Sequence, residues 1–183
     1  MRIEIADIKL EAGSHKRVPL ELSLEPVEMG GQEVRFEHPF TGEAEIWNAG
    51  DRLLVRAELS GEATLVCSRC LAGFTEELEV AFEEEFIEAG AEEGRAEEDE
   101  EEESQRTVSF YTGDEIDLTE PLRENILLEL PMKPLCDEAC KGLCPTCGTN
   151  LNEGRCGCEG ERDVVDPRLA ALKDLLRKPD SNS

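Results

Sequence analysis

The most chemically informative residues of this chain are its eight cysteines, because thiolates bind metal ions and carry out redox chemistry. They form four closely spaced pairs: Cys67 and Cys70, Cys136 and Cys140, Cys144 and Cys147, and Cys156 and Cys158. Two thiolates supplied by one tight turn can reach the same Zn²⁺ ion at about 2.3 Å. The four pairs therefore predict two zinc sites, each closed by four cysteine ligands.

The segment Leu143–Gly148, with the sequence Leu-Cys-Pro-Thr-Cys-Gly, contains the most specific of these pairs. Pro145 shapes the turn between the two cysteines, and Gly148 can adopt a positive φ after them. In that conformation backbone amides point back at the sulfur atoms and lower their charge density. The segment therefore predicts a zinc knuckle.

The spacing of the pairs favours one grouping into two sites. We call Cys67, Cys70, Cys136 and Cys140 the first quartet, and Cys144, Cys147, Cys156 and Cys158 the second quartet. The second quartet can close locally, with Asn150 and Asn152 hydrogen-bonding its loop. The first would connect the end of a strand with the segment after a helix, and closure entropy across the intervening residues grows only logarithmically. Four pairs allow three groupings, and spacing does not exclude the other two.

Two other uses of cysteine are weaker alternatives. A disulfide framework is typical of small secreted chains, and the first residues here do not have the composition of a signal peptide. A thiol redox protein could use Cys67 and Cys70, which follow a predicted strand, with Arg69 lowering a thiolate pKa, but the three further pairs argue against it. His15 and His38 lie far from the cysteines in turn-like segments, where we expect surface histidines. We identify no catalytic residue, and the chain is predicted not to be an enzyme.

Hydrophobic residues alternate with polar ones up to residue 88, which predicts strands with one buried face. The alternation is clearest in Leu20–Leu24, Val34–Phe36, Leu53–Leu59 and Leu78–Phe86. Ser60 and Gly61 are interpreted as a tight turn joining residues 52–59 with 62–67. The predicted fold class is α+β, with an antiparallel β-sheet or open β-barrel as its body.

The second half predicts one further strand and two helices. Thr107–Tyr111 is the strand candidate, followed by a turn at Gly113 and Asp114. A helix capped by Thr119, with Pro121 in its first turn and an end at Pro131, should cover the sheet. The predicted domains are a β-rich body at 1–88, an acidic insertion at 89–106, a strand and helix at 107–135, a zinc-binding module at 136–165 and a C-terminal helix at 166–178. The last helix has the apolar face Leu169, Leu172, Leu175 and Leu176.

The chain is strongly acidic: its 183 residues include 44 acidic and 19 basic ones, giving a formal charge of -25. Nine acids lie in the run Ala89–Arg106, which we expect to be disordered because like charges repel and nothing there can be buried. Such charge disfavours direct binding to nucleic acid and favours a basic protein partner. With no long apolar run and no targeting segment, the chain is predicted to be cytoplasmic, without a membrane partner.

Several segments together resemble a known family. They are Cys67–Leu71 after a β-rich half, Asp117–Glu120 opening a helix, Leu130–Cys136, Cys140–Glu153, Cys156–Cys158 and Asp166–Leu172. The chain is similar to the YceD family of large ribosomal RNA subunit accumulation proteins. That resemblance implies a non-enzymatic role in the synthesis, processing or accumulation of large-subunit ribosomal RNA in bacteria, with relatives in plastids. Some members of that family lack the last four cysteines yet keep the Cys-x-x-Cys pair and a Cys or His pair at the positions of Cys136 and Cys140, which favours the grouping above.

These observations lead us to expect a zinc-stabilised adaptor for ribosome biogenesis. Its partner would be a basic ribosomal protein or RNA-processing enzyme, with pre-ribosomal RNA contacted directly or through that partner. Direct contact would have to use the scattered cations Lys133, Lys141, Arg155, Arg162 and Arg168. The alternatives are a zinc-ribbon transcription or regulatory adaptor and the redox protein described above.

Overall fold

A computed structural model describes residues 1–90 and 107–158 of the chain. The predicted helix at 166–178, most of the predicted acidic insertion, and the cations Arg162 and Arg168 lie outside the described residues. No helix in the two described ranges is long and apolar enough to cross a membrane. The described residues divide into two compact units, of which the first lies within Met1–Ser68 and Ala72–Cys136, and the second comprises Arg69–Leu71 and residues 137–158. The domain boundaries expected from the sequence stay predictions.

The first unit is built on a five-stranded sheet with the order β2-β5-β6-β7-β8. Its strands are β2 at His15–Leu22, β5 at Phe40–Asn48, β6 at Leu53–Val66, β7 at Gly73–Glu88 and β8 at Thr107–Tyr111. Strands β6 and β7 form a long antiparallel hairpin, paired from Leu53 and Phe86 to Val66 and Gly73. Their apolar residues recur at every second position, so one face of the sheet is buried. The β-rich body expected from the sequence is therefore present.

Two short ribbons and two helices complete this unit. The ribbons pair β1 at Arg2–Glu4 with β9 at Glu115–Asp117, and β3 at Val27–Met29 with β4 at Gln32–Val34. Helix α1 is a single turn at Ala6–Lys9, and α2 spans Thr119–Glu129. Leu122 and Ile126 of α2 are fully buried in the same core as the inner sheet residues, and α2 packs against β7. The helix thus covers the sheet, as the sequence predicts.

The predicted turn at Ser60 and Gly61 is wrong, because both residues lie within the continuous strand β6. The glycine has a packing role instead. A Cβ atom at Gly61 would lie 2.6 Å from the ring of Phe40, a side chain that is completely buried. The absence of a side chain therefore makes room for an aromatic ring in the core, and the strand continues to the true hairpin loop after Val66.

The expectation of an antiparallel sheet holds for β2, β5, β6 and β7, but β8 pairs with β7 in parallel. Parallel neighbours need a crossover connection of about a dozen residues or more. The segment between Glu88 and Thr107 supplies that length. The acidic run therefore occupies the position in the sequence where the topology requires a crossover.

The start of α2 differs from the prediction, whereas its end agrees with it. Thr119 is the first helical residue and does not cap the helix with its side chain. Asp117 does this instead, since one of its carboxylate oxygens accepts hydrogen bonds from the backbone N–H of Thr119, at 2.9 Å, and from its hydroxyl. At the other end Leu130 is extended, as expected of a residue before proline.

We expect Gly61→Ala to lower the free energy of unfolding by about 1–3 kcal/mol, the usual cost of overpacking a core. Gly73→Ala is the matched control in β7, because its Cβ would have no atom closer than 3.9 Å. Denaturant unfolding of both variants provides the measurement. If Gly61→Ala costs no more than Gly73→Ala, or if Phe40→Leu does not reduce the cost, the proposed packing is wrong.

Candidate metal centres

The first quartet includes the cysteines of the loop that closes the β6–β7 hairpin. The backbone N–H of Cys67 donates to the carbonyl of Ala72 at 2.9 Å. This hydrogen bond closes the loop that contains the Cys-Ser-Arg-Cys segment. Leu71, directly after Cys70, has φ of 59°, a left-handed conformation that a non-glycine residue rarely adopts. Such a residue persists only where its surroundings hold it, which is characteristic of ligand-binding turns.

The sulfur atoms of the first quartet all lie within 4.8 Å of one another. Cys67, Cys70 and Cys140 are buried, and Cys136 is exposed. This is the grouping that the spacing favours. Four sulfur ligands of a tetrahedral Zn²⁺ ion would be separated by roughly 3.8 Å, given Zn–S bonds of about 2.3 Å, so only small adjustments separate this arrangement from a metal site.

Arg69 hydrogen-bonds to the backbone on either side of Ala139. Its guanidinium Nη1 donates to the carbonyl oxygens of Glu138, at 2.9 Å, and Cys140, at 3.0 Å. Its own carbonyl accepts a hydrogen bond from the N–H of Leu143. The arginine therefore binds the backbone around Cys140, and these hydrogen bonds position the segment that carries this ligand.

The second quartet is built on a small hairpin in which Leu143 and Asn150 are bridged. The N–H of Cys144 donates to the carbonyl of Thr149 at 2.8 Å, and the N–H of Gly148 donates to the carbonyl of Cys144 at 2.9 Å. Gly148 has φ of 73°, as the knuckle prediction requires. The four sulfur atoms of this quartet also lie within 4.8 Å of one another.

The thiols of the second quartet differ strongly in acidity. Backbone N–H groups of Cys147 and Thr146 point at the sulfur of Cys144 and lower the pKa of that thiol to about 6. The hydrogen bond with Cys147 raises the pKa of Cys158, and desolvation and the neighbouring thiolates raise it further. Without a cation the quartet therefore retains protons, because four adjacent negative charges repel one another. A bound divalent cation would remove that obstacle and displace the protons.

Two polar side chains contact the sulfur atoms directly. Asn152 Nδ2 lies 3.2 Å from Cys140 Sγ and donates to it, while Asn152 Oδ1 accepts from the N–H of Lys141 at 2.8 Å. Thr149 Oγ1 lies 3.2 Å from Cys147 Sγ. The sequence indicated that Asn152 bonds the loop, but it did not reveal that this side chain reaches a sulfur of the other quartet.

The described residues hold no third group of this kind: only the two quartets bring three or more His, Cys, Asp or Glu ligand atoms together. His15 and His38 are exposed and belong to neither quartet, although His15 lies in β2 rather than in a turn. Four thiolates complete a tetrahedral coordination shell and leave no position for a substrate. Chemically, each quartet is suited to holding a soft divalent ion in a structural role.

We expect Asn152→Ala to weaken metal binding at the first quartet about tenfold, the usual effect of removing a hydrogen bond to a ligand. Thr149→Val is the matched variant, and its effect should fall on the second quartet. Competition of the protein with a chromophoric chelator for Zn²⁺ measures both, in backgrounds where Cys144→Ser or Cys67→Ser removes the other site. Equal effects of each variant on both quartets would contradict the assignment.

Comparison with known proteins identifies relatives over most of the chain. Residues 55–176 match the YceD family, described as "Large ribosomal RNA subunit accumulation protein YceD". An uncharacterised protein of Mycobacterium tuberculosis is 33% identical over 130 residues, which are 70% of this chain and 58% of that protein. The uncharacterised protein YlbN of Bacillus subtilis is 35% identical over 128 residues, 68% of this chain and 66% of YlbN.

A plant relative has a functional name. The chloroplastic "Large ribosomal RNA subunit accumulation protein YCED homolog 1" of Arabidopsis thaliana is 37% identical over 65 residues, 35% of this chain and 20% of that protein. No solved structure matches the chain. The chain spans only 58% of the length of the mycobacterial relative. Because the family match extends over residues 55–176 and includes all eight cysteines, this chain belongs to the YceD family.

Proposed function

We propose that each quartet binds one Zn²⁺ ion as a tetrathiolate site. The proposed ligands are Cys67, Cys70, Cys136 and Cys140 in the first site and Cys144, Cys147, Cys156 and Cys158 in the second. The proposal is supported by the proximity of the sulfur atoms and by the donors around them. Sulfur ligands in tight turns suit Zn²⁺, and these sites need no redox change in the ion.

We infer that the chain is a non-enzymatic factor for the accumulation or processing of large-subunit ribosomal RNA. The observation that carries this inference is the family match over residues 55–176, since the family is described by that role. The plant relatives in Arabidopsis thaliana and Zea mays have names that state the same role. At the level of the family the role is therefore ribosome-related. Those two relatives are chloroplastic, and a cytoplasmic location for this chain stays a prediction.

Charge favours an adaptor that binds a basic protein. The outer face of the sheet places acidic residues directly opposite each other, as in the pairs Glu43 with Glu58 and Glu62 with Glu77. A site with four thiolates and one Zn²⁺ ion would add a charge of about −2. Such a surface repels RNA phosphates and attracts lysine- and arginine-rich proteins. The adaptor would hold a basic ribosomal protein or RNA-processing enzyme near precursor RNA.

We expect the purified chain to contain two Zn²⁺ ions, and Cys67→Ser and Cys144→Ser to lose one ion each. Each substitution removes a ligand from a different quartet, which lowers the affinity of that site alone. Metal analysis by mass spectrometry, with thiol titration under denaturing conditions, measures the result. A metal-free native protein, or the loss of both ions in either variant, would contradict two independent zinc sites.

Depletion of the protein in its own cells should reduce mature large-subunit ribosomal RNA relative to small-subunit RNA, and precursor RNA should rise. Northern blotting and sucrose-gradient profiles provide the measurement, with re-expression of the wild-type chain as the control. Affinity purification then distinguishes pre-ribosomal particles from RNA polymerase, the partner of a transcription adaptor. An unchanged subunit profile in depleted cells would count against the proposed function.

A further inference from the structure

The outer face of the main sheet, which is turned away from the core, has an apolar patch at one end. In β5, Trp47 lies between Ile46 and Asn48, which are both buried, so its side chain points to the outer face. By the same alternation Leu54 of β6 lies on the outer face, directly opposite Trp47 in the neighbouring strand. Both side chains are only half-buried.

The patch continues across β7 to β8. Glu85 of β7 lies opposite Leu54, and Val108 of β8 lies opposite Glu85. Phe110 lies two residues further along the same face, and its side chain is 55% exposed. The carboxylate of Glu85 is ion-paired, because Arg52 Nη1 lies 2.5 Å from Glu85 Oε2. We call the four apolar side chains the outer apolar patch: Trp47, Leu54, Val108 and Phe110.

A row of paired charges borders this patch. A groove beside Trp47 and Leu54 is also lined by Arg56 and Glu83, which belong to the next row of side chains on the same face. Arg56 Nη2 lies 3.4 Å from Glu58 Oε1, so this arginine is offset by its neighbours. An aromatic and apolar centre with a polar rim is the usual composition of a protein-binding surface, and tryptophan is frequent among the residues that dominate binding energy.

Beyond this rim the outer face is acidic. Glu43 lies opposite Glu58, and Glu62 lies opposite Glu77. Among the described residues, no ion pair involves five exposed carboxylates of this region. Such a face repels a second copy of itself and repels nucleic acid, and it attracts a cationic protein segment. The five carboxylates belong to Glu21, Glu43, Glu62, Glu77 and Glu79.

The sheet favours a helix as the segment that lies on this face. A further strand could pair only with β2 or β8, the outer strands of the sheet, whereas a helix satisfies its own backbone hydrogen bonds. A helix about 10 Å in diameter fits on a patch that spans four strands and is about 14 Å wide. Trp47 and Glu43 lie about 13 Å apart along β5, a distance that about nine helical residues would span.

We propose that the outer apolar patch binds an amphipathic, lysine- or arginine-rich helix of a protein partner. Apolar side chains at one end of the helix would pack on Trp47 and Leu54. Basic side chains about nine residues away on the same side of the helix would reach Glu43 and the neighbouring carboxylates. This inference rests on the proposed adaptor function and specifies the surface on which the basic partner would bind.

The test uses the full-length, metal-loaded protein, whose single tryptophan is Trp47, so that intrinsic fluorescence reports on the patch. The probe is a helical peptide of about five turns without aromatic residues, with leucines on one side of its first half and lysines on the same side of its second half. Its binding should shift Trp47 emission to shorter wavelength and should weaken as salt is raised. Peptides with glutamate in place of lysine, or with serine in place of leucine, should not bind.

Two pairs of variants locate the binding surface. Leu54→Gln should weaken binding about tenfold because it removes an apolar contact, whereas Leu54→Met should retain it. Glu43→Lys should weaken binding about fivefold through repulsion of the lysines. Glu28→Lys, in the separate β3–β4 ribbon, makes the same change in net charge and should bind like the wild type. Unchanged binding in folded Leu54→Gln or in Glu43→Lys would overturn the proposal, and Glu43→Lys decides the matter if Leu54→Gln does not fold.

Other occupants of the patch give different results, each of which would overturn the proposal. A second copy would produce a Trp47 emission shift that depends on protein concentration, together with a dimer in sedimentation. Residues of the chain itself would leave Trp47 inaccessible to acrylamide in the free monomer. Nucleic acid would displace the peptide when single-stranded RNA is added. The assay uses purified protein, so its failure is distinguishable from failure of the ribosomal RNA function, which is measured in cells.

Discussion

The feature on which the cysteine-rich segments depend is the close approach of sulfur atoms, which lie within 4.8 Å of one another in each quartet. Between residues 137 and 158 the structure contains no helix or strand, and the buried residues there are Cys140, Gly142 and Cys144. A segment of this kind has no apolar core to offset the entropy lost on ordering. Its hydrogen bonds orient sulfur atoms, as with Asn152 and Cys140 or Thr149 and Cys147. The conformation of residues 137–158 is therefore explained by the positions of its sulfur ligands rather than by an apolar core.

The first unit differs from the cysteine-rich segments because it has a continuous apolar core. Burial of that core offsets the repulsion among the unit's many acidic side chains. Residues such as Phe40, Val55 and Ile126 are almost completely buried between the sheet and its covering elements. On the outer face Arg17, Glu45, Arg56 and Glu83 alternate in charge across four strands. Like charges in water repel only modestly, so the core can support an acidic face whose main consequence is the choice of partners.

Many individual predictions from the sequence were correct because they rested on local chemistry. A period of two in β6 and β7 follows from one buried face, and the end of α2 follows from the steric effect of Pro131 on Leu130. The mistakes arose where distant residues decide the outcome. Gly61 resembles a turn residue in the sequence, but the ring of Phe40 requires a glycine inside a strand. The parallel pairing of β8 could not be inferred from a strand candidate whose partner residues in β7 lie 23 positions earlier in the chain.

The sequence by itself determined the four cysteine pairs, the positive φ of Gly148, the strands with alternating apolar and polar residues, and the excess of acidic residues. Each of these features depends on residue type and on spacing over a few residues. Only the tertiary structure decided that Leu71 takes a left-handed conformation, that Asn152 reaches Cys140 and that β8 leaves one edge open. Those features depend on which segments meet in space. Contacts of that kind are set by the packing of the whole chain, so no short stretch of sequence contains the information that fixes them.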